Sequence, residues 1–193
     1  NKTVLNSLIT MAEGVNLDLY EDTGKADFSN ALQAAEIAAA SMNITQAQVD
    51  SAATTLDSAM KALKPKPQPV QIVDNGTGVT VDAGAGVLPE DAQLSVQVVN
   101  SGSNFELASN VLKDVSGKIQ LLEISLLSGG VTVEPQNGSI TVRIPVPQGF
   151  DKDKLALFHI ADDGTKTQIP FTLDGNILVF TTTHFSYYAV ADT

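Results

Sequence analysis

Lys64-Pro65-Lys66-Pro67-Gln68-Pro69 is the stretch on which the fold turns. Each proline fixes its own φ, removes a backbone donor and pushes the preceding residue out of the helical region. Three alternating prolines therefore predict an extended spacer over 64–69. The composition changes across it. Residues 1–63 are rich in Ala, Leu and Met with almost no β-branched runs, whereas 70–193 are dominated by Val, Ile, Thr, Gly and turn dipeptides. The sequence thus predicts an α+β chain of two modules, residues 1–63 and 70–193, joined by a proline-rich linker.

Upstream of the prolines the apolar spacing is helical. Val49, Ala52, Ala53, Leu56, Ala59, Met60 and Leu63 recur every three or four residues and form one stripe. Thr45 and Gln48 have the spacing of a capping box that satisfies orphan amides at this helix's start. A second helix is expected after Asp27 as N-cap, carrying Phe28, Ala31, Leu32, Ala35 and Ala39 inward. A first, from about Thr3 to Glu13, turns Leu5, Leu8, Ile9 and Ala12 inward and stops at Gly14. Together they predict a three-helix bundle. Its many alanines bury little area each, so it should be modestly stable.

Downstream the period changes to two. Ile140, Val142, Ile144 and Val146 point one way while Ser139, Thr141 and Arg143 point the other. Leu94, Val96 and Val98 alternate likewise, as do Val79 and Val81. Asn75-Gly76, Asn137-Gly138, Asp163-Gly164 and Asp174-Gly175 carry turn chemistry. Asp163-Gly164 should join 155–161 to 165–173 as a hairpin, and Asp174-Gly175 should lead into 177–182 and then 185–191. Eight or nine short strands of this kind predict an all-β sandwich, immunoglobulin-like or a related Greek key.

Composition narrows the function. The 193 residues include 22 acidic side chains against 11 Lys and Arg, a formal charge of −11, with no Cys and no Trp. That balance excludes a phosphate-tracking nucleic-acid surface and an anionic membrane surface. The absence of Cys excludes thiol catalysis, disulfides and thiolate metal sites. No stretch reaches the roughly 20 apolar residues of a membrane-spanning helix. A start at Asn1 rather than Met reads as a piece of a longer protein.

No reactive constellation emerges from the motifs. There is no Gly-x-Ser-x-Gly elbow, and His159 and His184 lack His-x-His or His-Glu-x-x-His spacing. His184 reads as the tether of a strand connection and His159 as a residue on a sheet face. Asp151 and Asp153, and Asp162 and Asp163, sit among Lys and Gly in turns, so solvated charge outweighs a glycosidase pair. The same loops could offer calcium oxygens, but the full Asp-x-Asp-x-Asp-Gly pattern is missing. No cofactor, metal ligand or catalytic residue is assigned. Tyr187 and Tyr188 must face opposite sides of one strand, which disfavours an aromatic sugar platform.

One strand stands out. In 155–161, Ala156, Phe158 and Ile160 share one face and Leu155, Leu157 and His159 the other, so both faces are apolar. A half-solvated antiparallel strand avoids this. Either a loop or the helices cover one side, or Leu155, Leu157 and His159 form a partner surface. Ile119, Leu121 and Leu127 against Leu122, Ile124 and Leu126 raise the same question.

Two stretches resemble known modules. Leu5 to Ala12, Tyr20, Phe28-Ser29-Asn30-Ala31-Leu32-Gln33-Ala34-Ala35 and Thr45-Gln46-Ala47-Gln48-Val49-Asp50-Ser51-Ala52, with Leu56, Ala59 and Leu63, resemble the FIVAR module, although Glu21 follows Tyr20 where a Tyr-Thr loop is usual. The closing Thr182-Thr183-His184-Phe185-Ser186-Tyr187-Tyr188-Ala189-Val190 is similar to the last strands of accessory β-domains. Both resemblances imply a secreted or cell-wall-attached, multimodular Gram-positive surface protein or carbohydrate-active enzyme. They imply a non-catalytic spacer or scaffold that positions neighbouring domains of the same polypeptide. The alternative they leave open is a binding or adhesion module for a surface protein or glycan.

Overall fold

A computed structural model describes all residues from Asn1 to Thr193. The chain is α+β, with four helices and two antiparallel sheets. It divides into two compact units, Asn1–Lys66 and Pro67–Thr193.

In the first unit α1 (Thr3–Glu13), α2 (Lys25–Ala40) and α3 (Gln46–Ala62) enclose a core of Leu5, Ala12, Phe28, Ala35, Val49 and Leu56. Thr45 caps α3 as the spacing predicts: its hydroxyl accepts from the Gln48 amide and the Gln48 side chain accepts from the Thr45 amide. The start of α2 differs from expectation. Gly24, at φ 88°, is its N-cap, and Asp27 instead lies in the first turn, where a carboxylate still favours the positive end of the helix dipole. The prolines differ too. Lys66 donates to the Leu19 carbonyl and Glu21 to the Lys64 carbonyl, both at 2.8 Å, with Tyr20 bridged to Pro65. An extended Lys-Pro-Lys is strand-shaped, so Lys64–Lys66 zips onto the α1–α2 loop and belongs to the first unit rather than to a free spacer over 64–69.

The second unit holds eleven strands rather than eight or nine. β1 (Val70–Val73), β2 (Thr80–Ala83), β6 (Ile140–Pro145), β9 (Thr172–Asp174) and β10 (Ile177–Thr182) form a five-stranded sheet in the order β1-β2-β6-β10-β9. β3 (Gln93–Val99), β4 (Lys118–Ser128), β7 (Leu155–Ile160), β8 (Lys166–Ile169) and β11 (Tyr187–Asp192) form the second in the order β3-β4-β11-β7-β8, with β5 (Val131–Val133) on the end of β4. The expected alternation holds in β6, where Ile140, Val142 and Ile144 are buried and Thr141 and Arg143 are not. One core lies between the sheets, built from Val81, Leu122, Ile124, Leu126, Val142, Leu157, Leu178 and Tyr188.

Asp163-Gly164 does close a hairpin, pairing His159 with Thr167 and Leu157 with Ile169. The return strand does not run unbroken to Leu173. Pro170, which has no ladder donor, separates β8 from β9, and the chain changes sheets there. Residues 103–112, to which the sequence reading assigns no helix, form α4 (Ser103–Leu112). Its Ala108 and Leu112 pack with Leu121, Phe158, Ile160 and Ala189 in a separate core on the outer side of the six-stranded sheet.

Candidate functional site

The expected partner surface of Leu155, Leu157 and His159 faces inward. Leu157 is fully buried in the core between the sheets, and Leu155 packs against that core. The opposite face, Ala156, Phe158 and Ile160, is covered by α4. Both faces of β7 are apolar because each has its own core. Ile119 and Leu121 on β4 lie in the same α4 core, while Leu122, Ile124 and Leu126 point between the sheets. Leu157 therefore offers nothing to a surface for partners, while Leu155 and His159 are only partly buried. The overlooked signal is in α4 itself: Phe105, Ala108 and Leu112 recur at helical spacing.

His159 closes the inward row of β7, opposite Tyr188 on β11 and Thr167 on β8. His184 comes from the passage between β10 and β11, and the two imidazoles meet edge to face, 4.7 Å between ring centroids. Tyr188 is fully buried, its ring 5.5 Å from His159 and 5.1 Å from Phe180. Its hydroxyl donates to the His184 carbonyl at 2.9 Å and lies 2.9 Å from the Thr182 hydroxyl. Burial pushes the Tyr188 phenol up, opposed by the neighbouring Thr182 hydroxyl. Burial, reinforced by His184, holds the His159 imidazolium below its usual range, opposed by Asp162. Tyr187 faces the other way, into the α4 core, and its hydroxyl accepts from Asn104 at 2.6 Å.

One carboxylate of each sequence pair accepts a backbone amide. Asp151 accepts from the Asp153 amide at 3.1 Å and Asp163 from the Thr165 amide at 2.9 Å. Those amides, with Lys154 beside Asp151 and the Thr165 hydroxyl beside Asp163, lower both carboxyls. A general acid needs the opposite shift. No group of three or more His, Cys, Asp or Glu side chains is placed to share a metal ion.

No helix of the second unit packs on the outer face of the five-stranded sheet, and none of its outward residues is buried. Arg143 stands in the middle, 2.9 Å from Asp82 and 3.8 Å from Asp174, while Gln71 donates to Asp82. Beyond this ladder Thr141, Thr172, Val179 and Thr181 line a shallow groove of about 380 Å³ with Pro170 and Phe171. It lies where the chain changes sheets, and aromatic, proline and hydroxyl groups share it. Such a surface can seat a flat ligand but holds no nucleophile beside a base. No family model matches the chain.

Proposed function

We propose that the chain is a non-catalytic spacer or scaffold segment of a secreted or surface-anchored Gram-positive bacterial protein, positioning neighbouring domains of one polypeptide. The first unit is read as a FIVAR-like three-helix bundle, and the second as an immunoglobulin-like sandwich. The observation that carries the reading is that each unit has its own closed core, while Asp74, Asp91, Asp151 and Asp163 of the second unit brace turns through backbone amides. The Tyr188 hydroxyl, bonded to a backbone carbonyl four residues upstream where the chain passes between sheets, supports the second assignment, because immunoglobulin-type sandwiches use such a tyrosine corner.

The open outer face of the five-stranded sheet supports a second reading, a module that docks a surface protein or glycan through the groove at Phe171. Glycan-array and cell-wall pull-down measurements on the full chain separate the two. The spacer reading expects no ligand to saturate at micromolar concentration and an unchanged scattering envelope throughout. Saturable binding lost in Phe171→Ala gives the function to the groove. Glycan hydrolysis abolished by replacing one carboxylate overturns both.

A further inference from the structure

The passage from β10 to β11 is tied down on every side but one. The Thr182 hydroxyl and the Tyr188 hydroxyl both donate to the His184 carbonyl at 2.9 Å, the His184 amide donates to Thr182 Oγ1 at 3.3 Å, and the Phe185 amide donates to the Glu134 carboxylate at 3.0 Å. The exception is His159, whose Nε2 is buried without a hydrogen-bond partner. That cost is tolerable while the ring is neutral. A proton on His159 would make both ring nitrogens donors, leave one of them facing no acceptor, and place a charge 4.7 Å from the centre of the His184 ring.

We propose that His159, packed against His184, forms an acid-sensitive latch at the β10–β11 corner, closed when the His159 ring is neutral and opened by its protonation. The groups around His159 offer little to offset that charge. Across the strands stand Thr167 on β8 and Tyr188 on β11, neither charged. Lys166, next to Thr167, turns away and donates to the Val111 carbonyl. Asp162, beyond the end of β7, pulls toward the charged form but is outweighed by burial and by His184. Glu134 is engaged by the Phe185 amide and acts on Tyr188.

The sign follows from proton counting. With His159 lowered from the ordinary 6.5, the closed corner binds fewer protons than the open one. Closure therefore weakens as pH falls below 6.5, and goes on weakening until the closed state's own, lower value is passed. Ordinary carboxylates titrate lower still, so mildly acid conditions single out His159.

Hydrogen exchange of the full chain at the His184 and Phe185 amides, both bonded in the closed corner and corrected for intrinsic rates, reads the opening equilibrium. Between about pH 7.5 and about pH 5.5 it should rise toward tenfold, the proton uptake of a free imidazole over that interval. In His159→Phe, which keeps a ring but cannot titrate, the rise should fall below about twofold. His184→Gln, on an exposed side chain, should reduce the rise without disturbing the core, and it serves should His159→Phe misfold. A flat wild-type profile, an undiminished rise in both variants, or an NMR titration placing His159 at or above 6.5 overturns the latch.

Discussion

The two sheets of the second unit differ in what lies on their outer sides, and their strands are written accordingly. β7 reads Leu-Ala-Leu-Phe-His-Ile, apolar on both faces, because the interior core takes one side and α4 takes the other. β6 reads Ile-Thr-Val-Arg-Ile-Pro, with one apolar face and one carrying Thr141 and Arg143. The first is the pattern of a strand covered twice, the second that of an antiparallel strand with one open face. A doubly apolar strand thus announces a cover before the cover is located. In this chain the cover is ten residues of helix between β3 and β4.

The sharpest break of that contrast is a cavity under α4. Leu112 has no solvent exposure, so Leu112→Ala should destabilise the second unit by about 2–5 kcal/mol, the range for truncating a buried leucine. Val179→Ala on the open face should cost about 1 kcal/mol or less, since neighbours can relax into solvent. Urea unfolding of the two variants compares them directly. Similar costs would mean that the open face is covered in solution. Next in size is the join between the sheets. Tyr188→Phe keeps the ring against Phe180 but deletes the hydroxyl that holds the His184 carbonyl. It should cost about 1–2 kcal/mol, read as a lower urea midpoint with unchanged slope.

What could be read from residues alone follows the same division. Period-two alternation fixes the faces of β6 and β2, and turn dipeptides place the β7–β8 and β9–β10 hairpins, because both signals are local. The sheet change at Pro170 is not local: a run from Thr165 to Leu173 looks continuous until the missing donor is weighed. α4 carries helical spacing but begins at Gly102 with no side-chain cap, so nothing marks its start in the way Thr45 and Gln48 mark α3. The inward row of Leu155, Leu157 and His159 was legible as a face, but only packing decides which of two apolar faces meets which core. The meeting of His159 with His184 depends on tertiary register that no spacing rule reaches.

The capped and uncapped helices extend the comparison between the units. α3 stands on its capping box and a face rich in alanine, so Thr45→Ala should cost about 1 kcal/mol, seen as a lower melting temperature of the helical signal. α4 has no side-chain cap to lose and depends on the sheet beneath it. Gly102, at φ 90°, holds its entry in a backbone region that L side chains rarely adopt.

The smallest effect belongs to the open face, and its pH dependence separates it from the histidine corner. Burial raises the Asp82 carboxyl, but the Gln71 and Arg143 donors outweigh it and leave it below the ordinary 3.8. A lowered carboxyl contributes stability above its unfolded value and loses it as pH falls through the folded one. Arg143→Ala should therefore cost about 0.5–1 kcal/mol near neutral pH, as for other half-exposed ion pairs. The difference from wild type should shrink in about 1 M salt, where screening shortens to a few ångströms, and vanish once Asp82 is protonated, below 3.8. The corner should loosen already below 6.5. Denaturant titrations of the wild type and Arg143→Ala across both windows test this. A difference that disappears near 6 rather than below 4 would mean that Arg143 is coupled to the histidines and that the two faces of the unit do not titrate independently.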